Sequence, residues 1–308
     1  MFIKFISHAG IFLEEGAFSL LIDPWFTDST LVSPLMHSLS GHTTIDFQIP
    51  QAKDAINSFS PNAILLSHFH AHHGPRADLV AFAARQNPLL IAHPDAGGVN
   101  QTAKAHFSVY PKVALMPLAD QGTLRVGPFF ITALSHTVPL HVAWHVVTKT
   151  GSILHIADAR ANAKISQNSL DPLWNAFVEL KPNIVFISAS GNSSRVQKEG
   201  VREIREAATM SAIGGARILQ LLKPQAASLI GCYNHSIWKN RSEYILPTSA
   251  AEEQFYWAAS WLAPETKCIF AKPGHTYGIG DGSLAGEVDT FVSGPTFREK
   301  LKEIWNRT

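Results

Sequence analysis

Residues 63–74 read Ala-Ile-Leu-Leu-Ser-His-Phe-His-Ala-His-His-Gly. A run of four apolar residues bounded by polar ones has the length and character of a buried strand. The chain then sets His68, His70, His72 and His73 within a turn that leads into a helix over Arg76–Arg85. Alternate side chains of a turn can converge on one point, and imidazole is the commonest protein ligand for divalent metals. The same residues would also suit a histidine-rich surface loop. What decides between the two is whether other strand ends bring further ligands.

They do. The predicted strand Phe18–Ile22 is followed by Asp23, Phe129–Leu134 by His136, Ser152–Ala157 by Asp158 and Ala226–Gly231 by His235. Layered α/β folds gather ligands just past the carboxyl ends of strands, so these four residues stand where a site would form. Further strands are predicted at Phe2–Ser7, Ile11–Glu14, Leu89–Ala92, Val113–Met116, Thr123–Val126, Val142–Thr148, Ile184–Ser188 and Lys267–Ala271. Helices are predicted near Ala52–Phe59 and Val99–Ala105 and over Leu170–Leu180, Ser249–Leu262 and Thr296–Trp305. A long helix is read over Val201–Leu222, ended by Pro224, and a Gly-rich loop over Pro273–Gly282. No Ser/Pro/Gly-rich linker interrupts the alternation. One domain over residues 1–308 is expected, with an extension from about residue 240 packed on it.

Composition narrows the class. Of 308 residues, 46% are hydrophobic and 16% charged, which suits a large buried core and excludes a disordered chain. Lys and Arg number 25 against 24 Asp and Glu, so no overall field favours nucleic acid or an anionic membrane. Cys232 and Cys268 make neither a disulfide framework nor a zinc or iron–sulfur spacing, which fits a reducing cytoplasm. His8, Glu14 and Glu15 break the first apolar stretch, so no secretory leader is expected, and no run reaches the length of a membrane helix. GxGxxG, GxxxxGK[ST] and GxSxG are absent.

The ordered set Asp23, His68/His70/His73, His136, Asp158 and His235 resembles the five motifs of the metallo-β-lactamase superfamily. SHAGIFLEEGAFSLLIDPWF, residues 7–26, is similar to the branch that holds L-ascorbate-6-phosphate lactonase, N-acyl-phosphatidylethanolamine phospholipase D and the lactamase-like part of CMP-N-acetylneuraminate hydroxylase. The resemblance implies an αββα sandwich of two mixed sheets, with helices outside and metal at one edge. It implies a metallo-hydrolase that uses a metal-bound hydroxide on an ester, lactone, phosphodiester or amide. Its ligands would be His68, His70, His73, His136, Asp158 and His235, holding one or two divalent ions, zinc first and iron or manganese next. His8 falls at the branch's His-Ala position, near the site but off the metal. Asp23 would accept from an imidazole N–H of the 68–73 loop and hold its tautomer.

Position 72 departs from the family, which has Asp where this chain has His72. Either His72 joins His73, Asp158 and His235 on a second ion, or the second site is weak and one ion does the work. With His72 a ligand, the site carries one negative charge fewer and a bound water is more acidic. Trp25, Tyr233, Trp238 and His275 are candidates for the substrate wall, with ordinary packing as the alternative for each. His155 reads as a packed core histidine, His141 and His145 as residues flanking a strand, and His37, His42, His93 and His106 as loop or surface residues. A small molecule is the expected substrate, without nucleic acid or membrane insertion. Two other classes fit the same pattern: a dinuclear iron enzyme that activates O₂, and a degenerate metal-binding protein.

Overall fold

The computed structural model describes residues 1–7, 9–24, 58–69, 77–96, 114–135, 141–159, 172–189, 193–199, 202–207, 210–230, 249–269, 276–280 and 283–285. Within them, one sheet is built from β1 (Phe2–Ser7), β2 (Gly10–Glu15), β3 (Phe18–Ile22), β4 (Ala63–Leu66), β5 (Leu89–Ala92) and β6 (Leu115–Pro117). Two late strands, β16 (Thr276–Gly280) and β17 (Ser283–Ala285), extend it in the order β17-β16-β1-β2-β3-β4-β5-β6. The other sheet takes β7 (Thr123–Val126), β8 (Phe129–Ser135), β9 (Val142–Val147), β10 (Ser152–Ile156), β11 (Ile184–Ser188), β14 (Ala226–Ile230) and β15 (Lys267–Cys268), in the order β15-β14-β11-β10-β9-β8-β7. Both are mixed: β3, β4, β5 and β6 run parallel, as do β10, β11, β14 and β15, while their other neighbours are antiparallel.

Alternation along the strands builds the layers. Leu20 and Ile22 of β3, Ala63 and Leu65 of β4, Trp144 and Val146 of β9 and Ile153 of β10 face inward into one core between the sheets. Their neighbours face outward. Leu21, Ile64 and Leu66 pack under α1 (Ala77–Gln86), through its Leu79, Phe82 and Ala83. Leu154, Ile156 and Val185 pack under α2 (Pro172–Val178), α3 (Ala212–Leu222) and α4 (Ser249–Leu262). Helix, sheet, sheet, helix is the four-layer sandwich expected from the sequence. Strands covered on both faces read as unbroken apolar runs for this reason. Among the described residues, no helix is long and apolar enough to cross a membrane.

Two sequence expectations are corrected. The single helix over Val201–Leu222 is in fact a strand followed by a helix. Residues 202–207 form β13 (Arg202–Ala207), paired antiparallel with β12 (Ser193–Glu199), and the helix begins only at Ala212. Ser211 explains where it starts: its extended backbone and its hydroxyl, which accepts from the Gly214 amide at 3.1 Å, cap the first turn. Residues upstream find their backbone partners in β12 instead, a pairing that sequence periodicity does not show. The Gly-rich loop over Pro273–Gly282 contains β16, whose buried Tyr277 and Ile279 join the core between the sheets and whose backbone pairs with β1. The predicted helices near Ala52–Phe59 and Val99–Ala105 lie largely or wholly outside the described residues, and that over Thr296–Trp305 entirely so.

At Gly215, α3 lies close against Ala189 and the Phe255 ring of α4. A Cβ there would overlap the Cβ of Ala189 and press on the Phe255 ring at 3.0 Å. Gly215→Ala gains about 1 kcal/mol of helix propensity but overpacks a site with nothing flexible to yield. We expect a net loss of about 1–3 kcal/mol, measured by denaturant unfolding.

His145 lies on the helix-facing side of β9, 7% exposed, and its Nε2 has no hydrogen-bond partner among the described residues. Burial pulls its pKa from the usual imidazole value down to about 4. The unfolded chain therefore takes up a proton at a higher pH than the folded one. Stability should be fully present above about pH 6.5 and fall as pH drops toward about 4, by about 2–3 kcal/mol from this residue. Unfolding of His145→Leu across that window should show a shallower pH dependence than the wild type.

Candidate metal centre

The site is assembled where parallel strands of both sheets end. Asp23 follows β3, Ser67 and His68 follow β4, Asp158 lies just past β10 and Ser188 closes β11. Asp23 and Asp158 both have left-handed backbones, with φ of 42° and 41°. Among non-glycine residues, Asp is one of the few that enter this region readily. The turn lets the chain leave the strand sharply while its carboxylate stays at the strand end. The Asp23 amide still donates to the Leu65 carbonyl at 2.9 Å, which prolongs the β3–β4 pairing to the edge of the site.

Asp23 is fully buried, and burial pushes its carboxyl up to about 6, against the opposing effects of His155 and of hydrogen bonds from Ser67. The Ser67 amide donates to Oδ1 at 2.7 Å and the Ser67 hydroxyl to Oδ2 at 2.5 Å. The same hydroxyl oxygen lies 2.9 Å from His68 Nδ1. A hydroxyl has one proton to give, and here the carboxylate takes it. With Asp23 ionised, Ser67 Oγ then accepts from His68 Nδ1–H. Asp23 thus sets the tautomer of His68 through the Ser67 hydroxyl, where the sequence suggested direct contact with an imidazole of the loop.

That tautomer leaves the lone pair of His68 on Nε2, and Nε2 lies 3.3 Å from Asp158 Oδ2. Two electron-rich atoms so placed require a cation between or beside them, either a second proton on the ring or a metal ion. An ion with arms of about 2.1 Å at a tetrahedral angle would separate its N and O ligands by about 3.4 Å, so the spacing fits a shared ion. Ser188 Oγ donates to the other Asp158 oxygen at 3.3 Å, leaving Oδ2 turned toward His68. The His68 ring is buried and stacked on that of His141.

His155 occupies the core between the sheets, opposite Trp144 on β9. Its Nε2 donates to the Ala9 carbonyl at 2.9 Å and so ties the β1–β2 turn to the second sheet. Burial lowers its pKa below the usual imidazole value, with the Asp23 charge working the other way. His93 is half-buried past β5.

His68, Asp23 and Asp158 are therefore brought together. His70, His72, His73, His136 and His235, the wall candidates Trp25, Tyr233, Trp238 and His275, and His8 lie outside the described residues. Among the described residues, no three His, Cys, Asp or Glu side chains gather as a complete ligand set. Ser67, Ser188 and His141 carry roles that the sequence did not assign. Ser67 and Ser188 do stand at the ends of predicted strands, and that position was their available signal.

Comparison with known structures gives the class. The chain has the metallo-β-lactamase fold. The metallo-β-lactamase fold protein YhfI of Bacillus subtilis is 15% identical, with a TM-score of 0.53 over 89% of this chain and 97% of its own. An isothiocyanate hydrolase from Delia radicum gut bacteria is 15% identical, with a TM-score of 0.61 over 91% of this chain and 100% of its own. The diiron β-hydroxylase CmlA of Streptomyces venezuelae is 14% identical, with a TM-score of 0.52 over 75% of this chain and 44% of its own. No protein-family model matches the chain. By sequence it is similar to a UPF0173 metal-dependent hydrolase of Pyrobaculum aerophilum, 27% identical over 163 residues. The match takes in 51% of this chain and only 61% of that relative's length.

Ser67→Ala removes the hydroxyl from between a buried carboxylate and an imidazole. The expected loss is about 1–3 kcal/mol of stability, the cost of leaving a buried acceptor short of a donor. The Asp23 carboxyl, now with one donor fewer, should titrate above about 6, readable by carboxyl carbon NMR.

Proposed function

We propose that this chain is a metal-dependent hydrolase acting on a small molecule with an ester, lactone, phosphodiester or amide bond. The observation that carries the reading is the His68 Nε2 and Asp158 Oδ2 pair at 3.3 Å, two lone-pair donors at the common edge of two sheets. The similarity to a protein named a metal-dependent hydrolase supports it. His68 and Asp158 would hold the ion, joined by His70, His136, His73 and His235 from the motif order and by His72 in place of the usual aspartate. Zinc is the proposed metal, since imidazoles with one carboxylate suit it better than Mg²⁺ or Ca²⁺. A bound ion supplies Lewis acidity toward a carbonyl or phosphoryl oxygen and lowers the pKa of water.

The chain's own residues prepare the place. Asp23 and Ser67 hold His68 in the tautomer that offers Nε2. Ser188 holds Asp158 by the oxygen that does not face His68. Burial around His68 excludes water from its ring, so the ring cannot trade its directed lone pair for hydration. Trp25, Tyr233, Trp238 and His275 are proposed as the substrate wall.

Metal analysis after reconstitution with Zn²⁺ should find at least one ion per chain, and a panel of lactones, phosphodiesters, esters and amides should reveal a turnover that chelation abolishes. Asp158→Ala should lose most of that turnover and bind Zn²⁺ at least about tenfold more weakly. A fully active Asp158→Ala protein, or one with unchanged metal content, would overturn the assignment.

A further inference from the structure

His141 stands immediately before β9, and its ring lies over that of His68 with centroids 3.8 Å apart and planes 14° from parallel. Both side chains are buried. Their backbones are joined as well, because the Val142 amide donates to the Ser67 carbonyl at 3.1 Å. The end of β4 in one sheet and the start of β9 in the other are thereby held at a fixed separation, and the two rings fill the space between them.

The stack decides which role is open to His141. A ring nitrogen binds a metal through a lone pair in the ring plane, at about 2.0–2.1 Å. The lone pairs of two rings stacked 3.8 Å apart and 14° from parallel lie in planes that do not meet within the reach of a coordination bond, so the two rings would not hold one ion together. His141 is therefore no co-ligand of an ion that His68 holds.

What the stack can do is fix a plane. Ser67 Oγ anchors one ring nitrogen of His68 and Asp158 Oδ2 lies beside the other, contacts made at the ring's edge that still leave it freedom to tilt. A second flat ring laid against its face removes that freedom. We propose that His141 is a positioning residue that acts through His68, holding its ring plane so that Nε2 stays directed at the Asp158 edge of the site. This rests on the proposed metal centre only where binding is concerned, since the stacking can be measured in protein without metal.

The experiment compares wild type, His141→Ala and His141→Phe in the full chain. Phenylalanine keeps a flat ring of similar size and removes both nitrogens. Three quantities are read: Zn²⁺ affinity by competition with a chromophoric chelator, the visible spectrum of the Co²⁺ form, and the His68 ring-proton shifts in metal-free, histidine-labelled protein. His141→Ala should bind Zn²⁺ about 10- to 100-fold more weakly, the usual effect of losing a group that orients a ligand, while His141→Phe stays within about threefold of wild type. The Co²⁺ bands should change in His141→Ala and persist in His141→Phe. In metal-free protein the His68 ring protons should lose their upfield ring-current shift in His141→Ala and keep it in His141→Phe.

Equal losses of affinity in both variants would place the effect in a His141 nitrogen and overturn the stacking role. Wild-type affinity in His141→Ala would overturn it too. Should His141→Ala fail to fold, His141→Phe alone decides, by keeping or losing affinity and ring shift. A wild-type protein that binds no Zn²⁺ would sink the hydrolase reading, and the metal-free shifts would then judge His141 alone: unchanged shifts in His141→Ala overturn it, and a lost upfield shift supports it.

Discussion

A carboxylate with no exposed surface has to be supplied with hydrogen bonds, and the way Asp23 obtains them governs the site. Burial works against its charge strongly enough to lift the carboxyl to about 6. Ser67 answers with an amide and a hydroxyl, one to each oxygen. Because the hydroxyl proton is committed to Asp23, the Ser67 oxygen can only accept from the next ring, and the proton on His68 is placed on Nδ1. One buried charge at the end of β3 thus bears on which nitrogen of His68 carries the proton and which offers its lone pair to Asp158.

The sheets hold this arrangement still. β3 and β4 are parallel neighbours in one sheet and β10 and β11 in the other, so their carboxyl ends arrive at the same edge. Among the described residues, hydrogen bonds cross between the sheets close to it, from Val142 N–H to Ser67 C=O and from His155 Nε2–H to Ala9 C=O. Asp23 and Asp158, two of six described non-glycine residues with a positive φ, both stand here. Among the described residues, the strands away from this edge pack mainly through apolar side chains, against each other and against the helices.

Much of the architecture was legible as pattern. Apolar runs of strand length ending in Asp or His located β3, β4 and β10 with their site residues, and α4 spans Ser249–Leu262 as its pattern indicates, because these features are local. The failures were also of one kind. Residues 202–207 were drawn into a helix because their periodicity was compatible with one, yet their backbone partners lie in β12. Thr276–Gly280 looked like a loop because of its glycines, yet β1 offers an open edge that it fills. Backbone pairing with a segment elsewhere in the chain outweighs local preference, and no local pattern announces it.

At the site the division is sharper. Residue type and position at a strand end were enough to single out Asp23, His68 and Asp158, since metal chemistry restricts the side chains that can serve and the fold restricts where they can stand. The sequence could not show that Asp23 reaches His68 through a hydroxyl, that Ser188 holds Asp158, or that His141 lies on the His68 ring. Each of these is a relation of distance and angle between residues that the chain keeps apart: Asp23 and Ser67 are 44 positions from one another. Residue identity determined which chemistry was available; only the packing of two sheets against each other decided which atoms face, because a hydrogen bond or a stacked ring exists only within a few tenths of an ångström of its proper place.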